Sequence, residues 1–276
     1  MGDSVKVFRL FLLTLLIVTL SYISTSNNTN QRIIIAVLDT GFDFNYSFFN
    51  FNILKGFNII EKNKIPQDNQ GHGTIMINVI RKLTPNVLIL PVKVISKSGV
   101  TTKDELAEGI IWATNNGANI INISAGVISP SSKLKEAVEY AENKNVLVIA
   151  ATGNNGDKYI DYPAAFSTVL AVGAVDISKK RKLVTSNYGS NLDIVSLGED
   201  VPIINRYGKQ EYVTGTSVSA SIITSIAGNI LIKNPDFKPN DIRNIIIYSA
   251  IDIGESGCDL ETGYGFVDNH TKIEPN

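Results

Sequence analysis

Short apolar runs rich in β-branched residues alternate with helical patterns along the chain from residue 32 onward. This alternation is typical of βαβ units, in which successive strands lie parallel in one sheet. The runs contain few polar positions, as expected for strands that helices cover on both faces. The pattern therefore predicts a three-layer α/β fold, with a central mostly parallel sheet between two layers of helices. The predicted strands are Ile33 to Leu38, Val87 to Val94, Ile120 to Ser124, Val146 to Ala151 and Val169 to Val175.

Apolar residues at helical spacing predict four helices among and after these strands. The first begins at Thr102, where the sequence T-K-D-E is a capping box, and it ends before Gly117. The second covers 134–141, the third starts near Thr216, and the fourth follows Pro239. No internal repeat or interdomain linker follows residue 31, so we expect residues 27–276 to form one domain.

The N-terminal segment has the composition of an export signal. Lys6 and Arg9 precede an uncharged, largely apolar run from Leu10 to Leu20. This length suits the apolar core of a signal peptide, because a full membrane span needs about 20 residues. Two interpretations of residues 1–26 stay open, a cleaved signal peptide or a retained N-terminal membrane anchor. Both predict that the domain is exported, either extracellular or anchored to the outer face of the cell membrane.

Composition excludes several classes of partner and cofactor. Hydrophobic residues make up 44% of the chain and charged residues 18%, which is enough apolar material for a large core. A formal net charge of -1 offers no basic surface for a nucleic acid, so we expect none as a partner. Cys258 is the single cysteine, and the two histidines lack the spacing of a zinc site. We therefore expect no disulfide, no metal and no other cofactor.

Polar residues at the carboxyl ends of strands are the first candidates for chemistry in an open α/β sheet. Asp39 directly follows the apolar run I-I-I-A-V-L, although an aspartate in D-T-G can simply cap a turn. His72 lies between two glycines, which let a backbone or a substrate approach the ring closely. The apolar stretch that follows it resembles the start of a helix. His270, the other histidine, stands in a polar C-terminal tail.

Ser217 lies in G-T-S-V-S, immediately before a long apolar helix. A serine hydroxyl is a weak nucleophile unless an imidazole takes its proton, and a carboxylate must orient that imidazole. The N-terminus of a helix also favours the negative charge that forms on the substrate oxygen. Asn154, in A-T-G-N-N-G after another apolar run, offers an amide that can donate to the same oxygen. Each residue alone has an ordinary alternative, since serine caps helices and G-N-N-G forms turns.

The chain order Asp, His, Ser, with Asn between the last two, resembles that of the subtilisin-like serine peptidases. The resemblance covers about residues 32–268, and its motifs are A-V-L-D-T-G around Asp39, G-H-G-T around His72, N-I-S-A-G at 122–126, A-T-G-N at 151–154, Y-P-A at 162–164, G-T-S at 215–217 and G-Y-G at 263–265. This family implies a serine endopeptidase of subtilisin-like fold.

The resemblance also implies a role for each candidate residue. Ser217 would be the nucleophile, His72 the general base and then acid, and Asp39 the group that orients His72. Asn154 and the Ser217 backbone N–H would form the oxyanion hole. Ser124, Ala125 and Gly126 would pair with a polypeptide substrate as an added strand, while Ala151, Thr152 and Gly153 would line the pocket for the residue before the cut. We expect a monomer.

Departures from the family pattern refine this expectation. The helix after Ser217 reads V-S-A-S where the family usually has Met and Ala and, soon after, Pro. The stretch from Ile80 to Leu90 leaves no room for a calcium-binding loop, so we predict no tight calcium site there. Only a short polar stretch separates the hydrophobic segment from the first strand, which leaves no room for an inhibitory pro-region. We therefore expect a restricted processing peptidase, since an uninhibited broad protease endangers its host.

Two other function classes are open to a chain with these residues. An α/β-hydrolase would use Ser217 with a later aspartate and His270, but G-T-S-V-S lacks the second glycine of G-x-S-x-G. An exported, catalytically inactive relative would bind peptide strands through an intact cleft. The presence of all four chemical residues favours the enzyme over this binding protein.

Overall fold

A mostly parallel sheet of eight strands runs through the centre of the unit that begins at Ile33, as the sequence predicts. In the computed structural model, residues 32–45, 52–62, 65–176, 181–205 and 209–271 are described here. The predicted export segment over 1–26 lies outside these residues. The strands are β1 (Ile34–Asp39), β2 (Phe57–Asn58), β3 (Leu88–Lys93), β4 (Ile120–Ile123), β5 (Leu147–Ala151), β6 (Leu170–Asp176), β7 (Arg181–Lys182) and β8 (Ile194–Leu197), with a separate antiparallel pair β9 (Val201–Ile204) and β10 (Gln210–Val213).

Strand order in the sheet is β2-β3-β1-β4-β5-β6-β7, and β8 pairs with β6. The β6–β7 pair is antiparallel and the other pairs in this sheet are parallel. All five predicted strands are present, each displaced by one residue at one or both ends. The predicted strand over Ile120 to Ser124 ends at Ile123, so Ser124 begins the loop instead.

The described residues form five helices of eight residues or more: α1 (His72–Leu83), α2 (Lys103–Asn115), α3 (Ser132–Asn143), α4 (Thr216–Lys233) and α5 (Pro239–Tyr248). The predicted capping box is present at α2. Thr102 Oγ1 accepts from the Glu105 N–H at 3.1 Å, and Glu105 Oε2 accepts from the Thr102 N–H at 2.7 Å. These two bonds satisfy backbone donors that a helix start leaves unpaired, and they fix where α2 begins.

Successive residues of β1 pack into two different layers of the core, one on each face of the sheet. Ile35 and Val37 pack with α1, α4 and α5 on one face of the sheet, whereas Ala36 and Leu38 pack with α2 and α3 on the other. Successive side chains of a strand point to opposite faces, so one buried strand can serve both layers. The three-layer arrangement predicted from the sequence is confirmed.

Helix α4 is the central helix of one layer. Among the described helices it is the one with the length and hydropathy of a membrane span, but 83% of that stretch is buried inside the protein. Its fully buried polar side chains include Ser219, Ser221, Thr224 and Ser225. Ser221 and Ser225 donate to carbonyl oxygens one turn earlier, at 2.9 and 2.8 Å. Ser219 donates to the Ser196 and Leu197 carbonyl oxygens, both at 3.1 Å, and Thr224 donates to Asn122 Oδ1 at 2.8 Å. The helix is thus part of the core, and these four side chains are hydrogen-bonded either to its own backbone or to the neighbouring strands.

Candidate active site

Asp39 is the last residue of β1 and is fully buried. Both of its carboxylate oxygens face the His72 ring, with Nδ1 at 2.8 Å from Oδ1 and 3.0 Å from Oδ2. The Thr40 N–H donates to Asp39 Oδ1 at 2.7 Å, which holds the carboxylate in place. An Nδ1–H donated to this carboxylate leaves the other ring nitrogen, Nε2, able to accept a proton.

His72 is the first residue of α1, and one third of its side chain is exposed. The negative charge of Asp39 raises the pKa of His72 above its ordinary value of 6.5. Burial opposes this shift, while the hydrogen bond that His72 donates to Asp39 and the charge of Asp68 add to it. The imidazolium form is therefore stabilised relative to an isolated histidine, as a group that receives a proton during a reaction requires.

Asp68 organises the loop that joins these two residues, a role that the sequence motifs do not predict. Its Oδ1 accepts from the Thr40 hydroxyl at 2.9 Å and from the backbone N–H groups of Gln70 and Gly71 at 2.9 and 2.7 Å. Its Oδ2 accepts from the N–H and hydroxyl of Thr74 at 2.9 and 2.6 Å. The available signal was its place four residues before His72 in a polar stretch, D-N-Q-G-H.

The Asp68 carboxylate is only 2% exposed. Burial acts to raise its pKa, but the hydrogen bonds from Thr74, Gly71 and Gln70 outweigh burial and lower it. Thr40 extends the network, because its hydroxyl oxygen accepts from the Gly73 N–H at 2.8 Å. A charged Asp68 therefore ties the residue after Asp39 to the first turn of the helix that carries His72.

Ser217 is the second residue of α4 and is 7% exposed. Its Oγ donates to the Ser124 carbonyl oxygen at a long 3.5 Å, and no hydrogen bond joins it to His72 within the described residues. Gly215 precedes the helix with φ 148°, a conformation that favours glycine. Because Ser217 lies in the first turn, its backbone N–H has no acceptor four residues earlier within the helix.

Asn154 lies against the start of α4. Its Oδ1 accepts from the Thr216 N–H at 2.9 Å and from the Thr216 hydroxyl at 3.1 Å. With the carbonyl side of the amide held in this way, Nδ2 is the atom left to donate to a ligand. The side-chain amide of Asn154 and the backbone N–H of Ser217 thus belong to two neighbouring segments at one helix N-terminus. This is a suitable arrangement for stabilising an oxyanion.

The six predicted substrate-binding residues follow two adjacent strands. Ser124 to Gly126 follow β4, and β5 ends at Ala151, with Ile123 paired to Ala150 in the sheet. Ala125 and Gly126 make no backbone hydrogen bond to any described residue, so their N–H and C=O groups are available to an added strand. A cleft of about 670 Å³ opens beside them, and Gly126, Asn155 and Asp161 are among the residues that line it.

His270, the alternative base for an α/β-hydrolase, lies in an exposed turn. Its backbone N–H donates to Asp268 within that turn. By contrast, five of the predicted site residues lie at the ends of neighbouring strands or at the starts of helices: Asp39, His72, Ser124, Ala151 and Ser217. The structure therefore places the predicted site at the carboxyl-terminal edge of the sheet.

Comparison with known proteins shows the family of this chain. The model of the Peptidase S8, Subtilase family, matches residues 30–265. A thermophilic serine proteinase from Bacillus sp. (strain AK1) is 31% identical over 90% of this chain, and subtilisin Savinase from Lederbergia lenta is 34% identical over 83%. These alignments cover 63% and 87% of the two relatives. An alkaline protease from Alkalihalobacillus alcalophilus is 34% identical over 83% of this chain and is covered over 61% of its own length.

Solved structures give the same result. Fervidolysin from Fervidobacterium pennivorans, a keratinolytic enzyme related to subtilisin, superposes with a TM-score of 0.79 at 26% identity. The match covers 87% of this chain and 42% of fervidolysin. A lanthipeptide protease has a TM-score of 0.78 at 23% identity over 86% of each chain, a likeness of fold alone. The family model and the superposed structure agree on one class of protein, the subtilisin-like α/β fold. The chain belongs to the subtilase family.

Proposed function

We propose that this protein is an endopeptidase that cleaves peptide bonds through an acyl-enzyme formed on Ser217. The Ser217 Oγ bonds to the substrate carbonyl carbon while His72 Nε2 takes the hydroxyl proton. His72 then gives this proton to the leaving amine as the C–N bond breaks, and water hydrolyses the resulting ester. The observation that carries the proposal is the bidentate approach of the buried Asp39 carboxylate to His72 Nδ1.

The present position of the Ser217 hydroxyl is compatible with this mechanism. Its hydrogen bond to the Ser124 carbonyl is at the long limit for such a contact, so rotation about the Cα–Cβ bond costs little. Hydrogen bonds of catalytic groups are often long before substrate binds and shorten in the complex. The developing oxyanion would receive hydrogen bonds from Asn154 Nδ2 and the Ser217 N–H.

Substrate would bind as an extended strand beside Ser124, Ala125 and Gly126. The free backbone groups of Ala125 and Gly126 support this, because main-chain hydrogen bonds hold a peptide regardless of its sequence. The side chain before the cut would enter between Gly126 and the segment 151–153. Directly after Gly126, Val127 and Tyr162 exchange two backbone hydrogen bonds of 2.8 Å, which end the segment available to substrate.

Labelling with a fluorophosphonate tests the nucleophile. We expect the folded protein to be labelled, Ser217→Ala to lose the label, and Ser221→Ala to keep it. Ser221 is a matched control because it lies one turn further along α4 and its hydroxyl donates to the Ser217 carbonyl. A folded wild type that takes no label would contradict the enzyme and favour the inactive peptide-binding protein.

We also propose that the peptidase is exported and acts on few sites. The positive residues followed by an apolar run support export, and cell fractionation with protease protection would test it. The proposed pocket supports restricted processing, because side chains lie close against both Gly126 and Gly153 and limit which substrate side chains can enter. Rapid degradation of unstructured casein at many sites would rule out restricted processing.

A further inference from the structure

Asp161 forms the wall behind the two glycines of the proposed pocket. A Cβ built on Gly126 would lie 2.5 Å from Asp161 Cβ, and one built on Gly153 would lie 2.5 Å from Asp161 Oδ2. The carboxylate therefore stands directly against both segments that would enclose the side chain before the cut. Asp161 also lines the 670 Å³ cleft together with Gly126.

The position of Asp161 is fixed by its backbone. Its N–H donates to the Thr152 carbonyl at 3.0 Å, and its carbonyl accepts from the Ala165 N–H at 3.1 Å. Thr152 belongs to the pocket segment itself, so the carboxylate and the pocket are held together. A side chain anchored in this way presents its charge at a defined place, as a specificity residue must.

The Asp161 carboxylate has no hydrogen-bond or ion-pair partner among the described residues. It is nevertheless half-buried. Burial, and then the negative charge of Asp157, raise its pKa, as expected for an acid whose charge is not compensated. The side-chain amide of Asn187 also lies against Gly153, but it is neutral and cannot balance this charge. Its buried Nδ2 has no hydrogen-bond partner among the described residues. The pocket thus carries an uncompensated negative charge.

Nearby cations do not neutralise this charge. Lys103 lines the same cleft, but its Nζ donates to the Pro130 carbonyl at 3.4 Å. Lys158 lines a neighbouring cavity together with Asp161, and no ion pair within 4 Å joins the two among the described residues. Asp104 also lines this cleft, and its carboxylate forms an ion pair with Lys133 at 3.4 Å.

We infer that Asp161 selects substrates with lysine or arginine immediately before the cleaved bond. A basic side chain would supply the missing partner of a half-buried carboxylate, whereas an apolar one would remove water from it without compensation. An acidic side chain would meet a like charge. This inference rests on the proposed function, because it assigns the substrate class of the same site, and it supplies a physical reason for restricted cleavage.

The test uses peptides that differ at one position, with Arg, Lys, Leu or Glu before the cut. We expect the wild type to prefer Arg over Leu by about tenfold or more in kcat/KM, as for a well-placed charge pair. In Asp161→Asn this ratio should fall about tenfold, because the Arg peptide loses the partner of its charge and the Leu peptide does not. Asp157→Asn is the matched control, since it removes a neighbouring exposed carboxylate, and it should keep the preference within about threefold.

A second measurement separates this inference from the proposed function. Product peptides that end in Arg or Leu are titrated calorimetrically into Ser217→Ala and into Ser217→Ala with Asp161→Asn. Tighter binding of the Arg peptide that disappears with Asp161→Asn supports the inference even if the wild type shows no cleavage and no label. Equal binding of the two peptides, or a wild-type preference for Leu that Asp161→Asn leaves unchanged, overturns it. Near-UV circular dichroism confirms that the variants are folded.

Discussion

The carboxylate of Asp68 accepts the hydroxyl of Thr40 at 2.9 Å, and Thr40 is the residue next to Asp39. The same carboxylate accepts the N–H of Gly71, directly before His72. One buried charge therefore holds the two segments that carry Asp39 and His72. Their mutual geometry depends on a residue that has no direct part in the proposed proton transfer.

Replacing Asp68 with Asn should impair both stability and turnover. The amide has one acceptor oxygen where the carboxylate has two, so several of the five donors around it lose their partner. We expect a loss of about 1–3 kcal/mol in the free energy of unfolding, measured by urea titration. We also expect kcat to fall about tenfold or more, since the imidazole is less well placed. Asp236→Asn, at an exposed position, should change neither quantity measurably.

The pH dependence of kcat/KM should reflect the raised pKa of His72. Below this pKa the imidazole already carries a proton and cannot take one from Ser217, so activity rises as pH increases through it. We expect kcat/KM to reach half of its plateau, on the acidic side, at a pH above 6.5, which is the ordinary pKa of histidine. A limb centred at or below 6.5 would contradict the electrostatic role of Asp39.

Asp39→Asn tests that role directly. Removing the nearest negative charge should move the acidic limb to lower pH, because the imidazolium loses its main stabilising partner. The rate should fall about 10⁴-fold, as the amide no longer holds the required tautomer. Asp68→Asn should shift the limb in the same direction but less, since the charge of Asp68 contributes less to the His72 pKa than that of Asp39.

Asn154→Ala should lower kcat by about 10²–10³-fold, the usual cost of losing one oxyanion donor. KM should change little, because the donor acts mainly on charge that develops in the transition state. Thr216→Val is the informative control. It removes the hydroxyl that holds Asn154 Oδ1 but keeps the Thr216 N–H bond to that oxygen, so we expect only a small loss. Steady-state kinetics on one peptide distinguish the two outcomes.

Arg243 and Asp193 form an ion pair remote from the proposed triad. Arg243 Nη2 lies 2.7 Å from Asp193 Oδ1, with side chains 20% and 11% exposed. Arg243→Ala should cost about 3 kcal/mol of stability, because it leaves a mostly buried carboxylate without its cation. Lys135→Ala breaks an exposed pair with Glu139 and should cost less than about 0.5 kcal/mol. Equal losses in the two variants would contradict this account.

Patterns that act over a few residues could be predicted from the sequence. The strand before Asp39 is continuously apolar, and the capping box at Thr102 satisfies its own helix, so both are local consequences of residue order. The position of Ser217, immediately before a long apolar helix, is likewise a local feature of the sequence. The antiparallel pair of β9 and β10 escaped prediction because both strands are only four residues long and partly exposed, β9 contains a proline, and β10 reads Q-E-Y-V.

The amino-acid sequence by itself determined the three-layer α/β class, the order of its main elements and the identities of the four chemical candidates, since these depend on periodicity and motif. Only the tertiary structure decided that Asp68 joins the Asp39 and His72 segments, and that Asp161 stands behind Gly126 and Gly153. Asp161 is 35 residues from Gly126 along the chain, and an aspartate before Y-P-A carries no local signal of a pocket wall. Such roles arise from distances across the fold, because a charge acts through space on whatever the folded chain brings near it.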